Sequence, residues 1–262
     1  MRIRLFTLAL FLFSMLQRPV SAGPAWHETK GKHFIVYAQE GGSFSNSVLR
    51  KAEEHYQSIT RYFGNLPKSD FWSWDNRCKI YIYRSRAEYV SQTGQPEWSG
   101  GFADVNSRSI VSFQNAPDFF DSILPHEMAH LVFREFVQLN NREVPRWLDE
   151  GFAIAQETNV RTALDETVRK AVARNETLSI GRLNAMSTLH QQPTESARLF
   201  YAQAQSITRF LIEGRDGSYF LNFCRLLRDG VEFEDALRRS YRRDFGSIDD
   251  LEKSWRRHVK RH

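Results

Sequence analysis

Cysteine is nearly missing from this sequence: Cys78 and Cys224 are the two present in 262 residues. A scaffold knit by several disulfides is therefore excluded. One bridge between the two halves of the chain stays open beside the alternative of two buried free thiols, because the choice turns on a Cα separation that no sequence displays. No cysteine follows the N-terminal apolar run, so a lipid anchor of the usual bacterial kind has no acceptor. Long apolar runs are scarce as well: Leu5 to Leu16 is twelve residues, short of the roughly 20 needed to span a bilayer. Nothing later in the chain is apolar enough to span. Internal repeats and low-complexity tracts are absent too, which argues against a repeat array or a disordered chain.

Acidic residues are missing from the first 22 positions, where MRIR is a basic start, Leu5 to Leu16 an apolar core and Val20-Ser21-Ala22 a small-residue cleavage signal. This predicts a signal peptide over residues 1–22 and a mature chain beginning near Gly23. The protein is then exported, periplasmic or secreted, with no transmembrane segment after cleavage. The charge changes accordingly: the formal +5 includes Arg2, Arg4 and Arg18, so residues 23–262 carry +2. The pI of 9.3 overstates their basicity, and nucleic acid is not an expected partner. The remaining excess gathers in RRSYRRDF and SWRRHVKRH, which read as a solvated helix face that could also meet an anionic membrane surface.

Hydrophobic residues make up 41% of the chain and aromatics 13%, enough for a packed core. From Trp26 onward strands and helices alternate. HFIVYAQ reads as a strand, SNSVLRKAEEHYQSITRYFG as a helix ended by Gly64, CKIYIY (Cys78–Tyr83) as a strand and Arg86–Gln92 as a short helix. GGFADVNSRSIVSF reads as a hairpin-like extended stretch. After Asn140 strand signals nearly vanish, and VPRWLDEGFAIAQE, VRTALDETVRKAVARN, ARLFYAQAQSITRFLIEG, YFLNFCRLLRDG and FEDALRRSYRRDFG carry helical periodicity. Ser247-Ile248-Asp249-Asp250 opens a last helix in the manner of a capping box. The expectation is an α+β fold in one domain, with a sheet-bearing lobe over residues 23–138 and a helical lobe over 139–262.

One stretch carries chemistry. In ILPHEMAHLVF, His126 and His130 stand four residues apart with Glu127 after the first. On a helix, positions four apart differ by roughly 40° around the axis and about 6 Å along it, so both imidazoles can face one ion. Met128, Ala129, Val132 and Phe136 fall on the opposite face, as expected of a helix packed on a core with its polar side toward a cleft. Downstream, VPRWLDEGFA places Glu150 one helix and one connection later, in position to supply a third ligand. Two histidines and a carboxylate leave a fourth zinc position open for water.

His126-Glu127-x-x-His130 followed by Trp147-Leu148-Asp149-Glu150-Gly151-Phe152-Ala153 resembles the gluzincin zinc metallopeptidases, and more narrowly the bacterial peptidase-MA-like proteins. The resemblance implies a zincin-like fold whose first lobe carries a mixed sheet and the active-site helix. It implies one Zn2+ per chain on His126, His130 and Glu150, with Glu127 polarising the attacking water, and a peptide or protein substrate. The chain departs from better-known branches at two places. After Glu150 it reads GFAIAQE, without the Ser-Asp ending of thermolysin-like enzymes. GGFADVN stands where the aminopeptidase branch has GxMEN and offers no glutamate for a free amino group, which favours an endopeptidase. The alternative is a non-catalytic peptide- or envelope-binding protein that keeps the fold.

The same resemblance favours Ser107–Phe113 as an edge strand to which a peptide could add. Glu157, seven residues after Glu150, falls on nearly the same helix face and could accept the outer N–H of a ligand histidine. Tyr201, in LFYAQAQ, or His190, in STLHQQP, could stabilise the oxyanion. His27, His33, His55, His258 and His262 show no ligand spacing. Asp149 reads as a capping or solvated residue, and Trp147 and Leu148 as core.

Overall fold

The computed structural model describes residues 25–64, 72–138, 141, 143–158, 161–186, 194–213 and 217–261. The signal peptide expected over residues 1–22 lies outside them. The fold is α+β: a small mixed sheet built before residue 114, followed by a run of helices.

Five strands, β1 (His27–Lys30), β2 (Phe34–Ala38), β3 (Cys78–Tyr83), β4 (Gly101–Asp104) and β5 (Ser109–Phe113), lie in the order β1-β2-β3-β5-β4. The β2–β3 and β3–β5 pairs are parallel and the two outer pairs antiparallel. Registers Val36↔Ile80 and Ile80↔Ile110 carry a fully buried aliphatic row across the sheet. Its face is covered by α1 (Ser43–Thr60) and α3 (Leu124–Val137). The other face presents Tyr37 stacked on Tyr81, with Trp26 edge-on to Tyr81 and Tyr83. β1 escapes a sequence reading because HETK is short, polar and largely exposed, with no apolar alternation to betray it.

The expected edge strand is corrected by this order. β5 is internal, paired with β3 on one side and β4 on the other, and every residue in it is buried. SIVSF is a run that suits burial on both faces. The edge is β4, the first half of the hairpin, placed outside because its partner takes the position beside β3. Short α2 (Arg86–Thr93) precedes β4; Ser85 caps it by accepting from the Glu88 N–H.

The second half holds α4 (Arg146–Ile154), α5 (Arg161–Arg174), α6 (Ile180–Ala185), α7 (Thr194–Glu213), α8 (Ser218–Arg228), α9 (Phe233–Tyr241) and α10 (Ile248–Arg261). Ser247 caps α10 through the Asp250 N–H at 3.1 Å. A column of rings ties the two halves together. Phe63 stacks on Phe136, Phe133 on Phe152 and Phe152 on Phe220, with centroids 4.5, 5.3 and 5.9 Å apart. Because Phe133 follows His130 by three positions and Phe152 follows Glu150 by two, this stacking sets α4 against α3 at the height where their polar residues meet. Cys78 and Cys224 are both buried free thiols. Among the described residues no helix is long and apolar enough to cross a membrane.

Candidate metal centre

α3 grows directly out of a π-turn, Phe119–Ile123, with Pro125 in its first turn, where a missing N–H costs nothing. Met128, Ala129 and Val132 are fully buried and Phe136 nearly so, which turns His126, Glu127 and His130 toward the opposite, partly open side. α4 brings Glu150 against that side. Ligand atoms of His126, His130 and Glu150 all lie within 4.8 Å of one another. The two Nε2 atoms are 3.1 Å apart, and His130 Nε2 is 3.7 Å from Glu150 Oε2. Two donors on one tetrahedral zinc, each at about 2.0–2.1 Å, stand roughly 3.3–3.4 Å from each other. These two separations bracket that value and the third is no more than 4.8 Å, so small side-chain shifts bring all three donors onto a single ion.

Their outer hydrogen bonds sharpen the point. His126 Nδ1 meets Glu157 Oε1 at 2.7 Å, and His130 Nδ1 meets Asp149 Oδ1 at 2.9 Å. An ionised carboxylate can only accept, so each imidazole donates from Nδ1 and, when neutral, turns a bare lone pair inward from Nε2. Two lone pairs and a carboxylate oxygen facing one another need a positive charge among them. A proton on one nitrogen relieves part of this, and a divalent cation relieves all of it. Burial lowers the His130 pKa, yet Asp149, Glu150 and Glu127 outweigh it and carry that pKa to about 9. For Asp149 burial acts upward, and the His130 and Arg134 charges hold it below the usual carboxylate range.

Glu157 meets His126 from a different place than helix periodicity suggests. α4 ends at Ile154, and Glu157 sits in the turn beyond it. Thr158 clasps that turn to the π-turn by donating its N–H to the Asp121 carbonyl at 3.0 Å. Ser122 then donates its hydroxyl to the second Glu157 oxygen. Asp149 is a correction: it neither caps nor faces solvent, but is buried, accepting from His130 on one oxygen and from Arg134 Nε at 2.7 Å on the other. The missed partners were readable, since Ser122, His126, His130 and Arg134 recur every four residues along one stripe. Arg146 stands four before Glu150 and holds Oε1 from Nε and Nη2, both at 3.2 Å.

Gly151 explains how α7 comes close. A Cβ there would lie 2.3 Å from both the Ala204 carbonyl oxygen and Thr208 Oγ1, so only glycine admits this approach. The approach brings Tyr201 beside the Glu150–Arg146 pair. Burial and the Glu150 charge push its phenol up, while Arg146, hydrogen-bonded to it, acts in the opposite sense. His190 lies outside the described residues. Glu127 is half-buried and near enough to Tyr89 for its charge to act on that phenol.

The family described as the peptidase MA superfamily matches residues 72–261, which includes all of these residues. No curated protein matches the chain.

Proposed function

This chain belongs to the peptidase MA superfamily, and on that premise we propose that it is an exported zinc-dependent peptidase with a zincin-like fold. The observation that carries the reading is the convergence of His126 Nε2, His130 Nε2 and Glu150 Oε2, with both Nδ1 atoms committed to carboxylates. One zinc ion per chain, held by these three residues, would supply a Lewis acid that polarises a carbonyl and lowers the pKa of a water toward about 7.

Glu127 is the general base: it accepts a proton from the attacking water and passes it to the nitrogen of the departing amine. Tyr201 donates from its phenol to the carbonyl oxygen as negative charge develops there. Arg146 keeps one oxygen of Glu150 engaged, which leaves the other aimed at the histidines. Asp149 and Glu157 fix the ring orientations and make Nε2 a better donor. A substrate adds along the β4 edge, beside the start of α3. No glutamate in GGFADVN holds a terminal amino group, so the peptide continues past the scissile bond on both sides, as in an endopeptidase. The basic, apolar and small-residue pattern of residues 1–22 supports export.

Purified protein beginning at Gly23 tests this on quenched peptides. The parent is expected to hydrolyse them, and Glu127→Gln to keep its metal while losing at least about a hundredfold in rate. Normal cleavage by Glu127→Gln would remove the base assignment. Tight peptide binding without turnover by either protein would favour a binding protein that keeps a peptidase fold.

A further inference from the structure

Three tryptophans are exposed among the described residues: Trp26 at 37%, Trp74 at 83% and Trp98 at 79%. Trp26 leans on Tyr81 and Tyr83 on the sheet face away from α3. Trp98 has no ring contact or hydrogen bond from its side chain among the described residues. It nevertheless stands on tightly held backbone. Ser99, next to it, is buried, with its hydroxyl 2.7 Å from the Tyr89 phenol and its N–H donating to the Pro96 carbonyl at 2.9 Å. Arg86 donates to the Glu97 carbonyl, and Ser112 Oγ to the Gly100 carbonyl at 2.7 Å.

The place of this loop gives the exposed indole a meaning. Gly101 begins the β4 edge and Gly100 precedes it; both lie against Ile123, which leads into α3 three residues before His126. A Cβ on Gly100 would come within 2.5 Å of Ile123 Cδ1, and one on Gly101 within 2.8 Å of Cγ2. Edge strand and metal-site helix are therefore locked together at this junction. Trp98 is three residues upstream of Gly101, in the turn closed between Pro96 and Ser99, so its backbone lies at most about 10 Å from the start of β4. A peptide added along β4 would meet the Trp98 loop at the end of the strand that packs on the start of α3. A large apolar ring left in water on a rigid mount, at the end of the edge a peptide would pair with, offers apolar burial to a ligand passing there.

We propose that Trp98 is a substrate-recognition residue, forming the apolar wall of a subsite that takes a large aliphatic or aromatic side chain within three residues of the scissile bond. This rests on the peptidase reading and names the substrate class for it: extended peptides with a bulky apolar residue next to the cleavage point.

The test is a quenched-peptide set varied among Phe, Leu, Ala and Asp at three positions on each side of the cleaved bond. At one position the parent is expected to prefer Phe or Leu over Ala by roughly tenfold or more. Trp98→Ala should erase that preference by slowing the Phe and Leu peptides while leaving kcat/KM for the Ala peptide near the parent's. Trp98→Phe should keep it, and Trp26→Ala should leave every peptide unchanged. A preference intact in Trp98→Ala overturns the inference while leaving the peptidase reading standing, as does an equal loss on every peptide. A parent that cleaves none of them overturns that reading and the inference with it.

Discussion

Gly151→Ala sets two effects against each other with opposite signs. Replacing a helical glycine by alanine ordinarily stabilises by about 1 kcal/mol. Here the new methyl would stand 2.3 Å from the Ala204 carbonyl oxygen and from Thr208 Oγ1, about 1 Å inside ordinary contact. Thr208 can rotate its hydroxyl away, but a backbone carbonyl in the middle of α7 cannot, so the helices must part. Overpacking of this kind costs typically 1–3 kcal/mol, and a backbone obstacle belongs at the upper end. The net expectation is a loss of about 2 kcal/mol, or roughly 4–8 °C in Tm for a domain of this size. The parting also draws Tyr201 away from Glu150, so hydrolysis should fall further than stability explains at temperatures well below Tm. Adding Thr208→Ala should recover only part of the loss, because Ala204 remains. Thermal melting by circular dichroism reads the first effect and peptide hydrolysis the second. An unchanged or raised Tm for Gly151→Ala would refute the close-packing argument and, with it, the reason that α7 reaches the site.

Asp149→Asn and Glu157→Gln are each expected to weaken zinc binding about 10- to 100-fold without abolishing it, measured by competition with a chelating dye; unaltered affinity in both would mean that the ring partners do not matter. His55 bears on stability against pH. Burial lowers its pKa from the ordinary histidine value while its Nε2 lies 2.8 Å from the Phe120 carbonyl. Its contribution is whole above about pH 6.5 and is lost as pH falls toward the depressed folded value. His55→Gln should therefore flatten the decline of Tm on acidification below that pH, and an identical slope in the variant would contradict this. Both thiols are buried, and burial pushes both pKa values up. A thiol dye should label neither in the native protein and both after unfolding without reductant, whereas a bridge would leave them unlabelled.

Much of the fold was legible because its signals are local. CKIYIY alternates and ends at turn residues, and α3 separates Met128, Ala129 and Val132 from His126 and His130 by angle alone. What was not legible depends on which elements become neighbours. A hairpin's sequence does not say which of its strands lies inside the sheet, and here β4, not β5, takes the edge. Asp149 reads as a solvated helix acid until α4 is laid against α3. Helix spacing puts Glu157 on the face of Glu150, but its route to His126 depends on the end of α4 at Ile154 and the Thr158 clasp to Asp121, which are tertiary facts. Gly151 looks like a flaw in a helix until α7 packs on it.

Whether His126, His130 and Glu150 together hold one divalent ion is read by metal content, measured by mass spectrometry after zinc loading and gel filtration on the parent, Glu127→Gln and His126→Ala. One zinc per chain is expected in the first two and near zero in the third, with the circular dichroism spectrum retained. Zinc absent from the parent, or bound equally by His126→Ala, would contradict it.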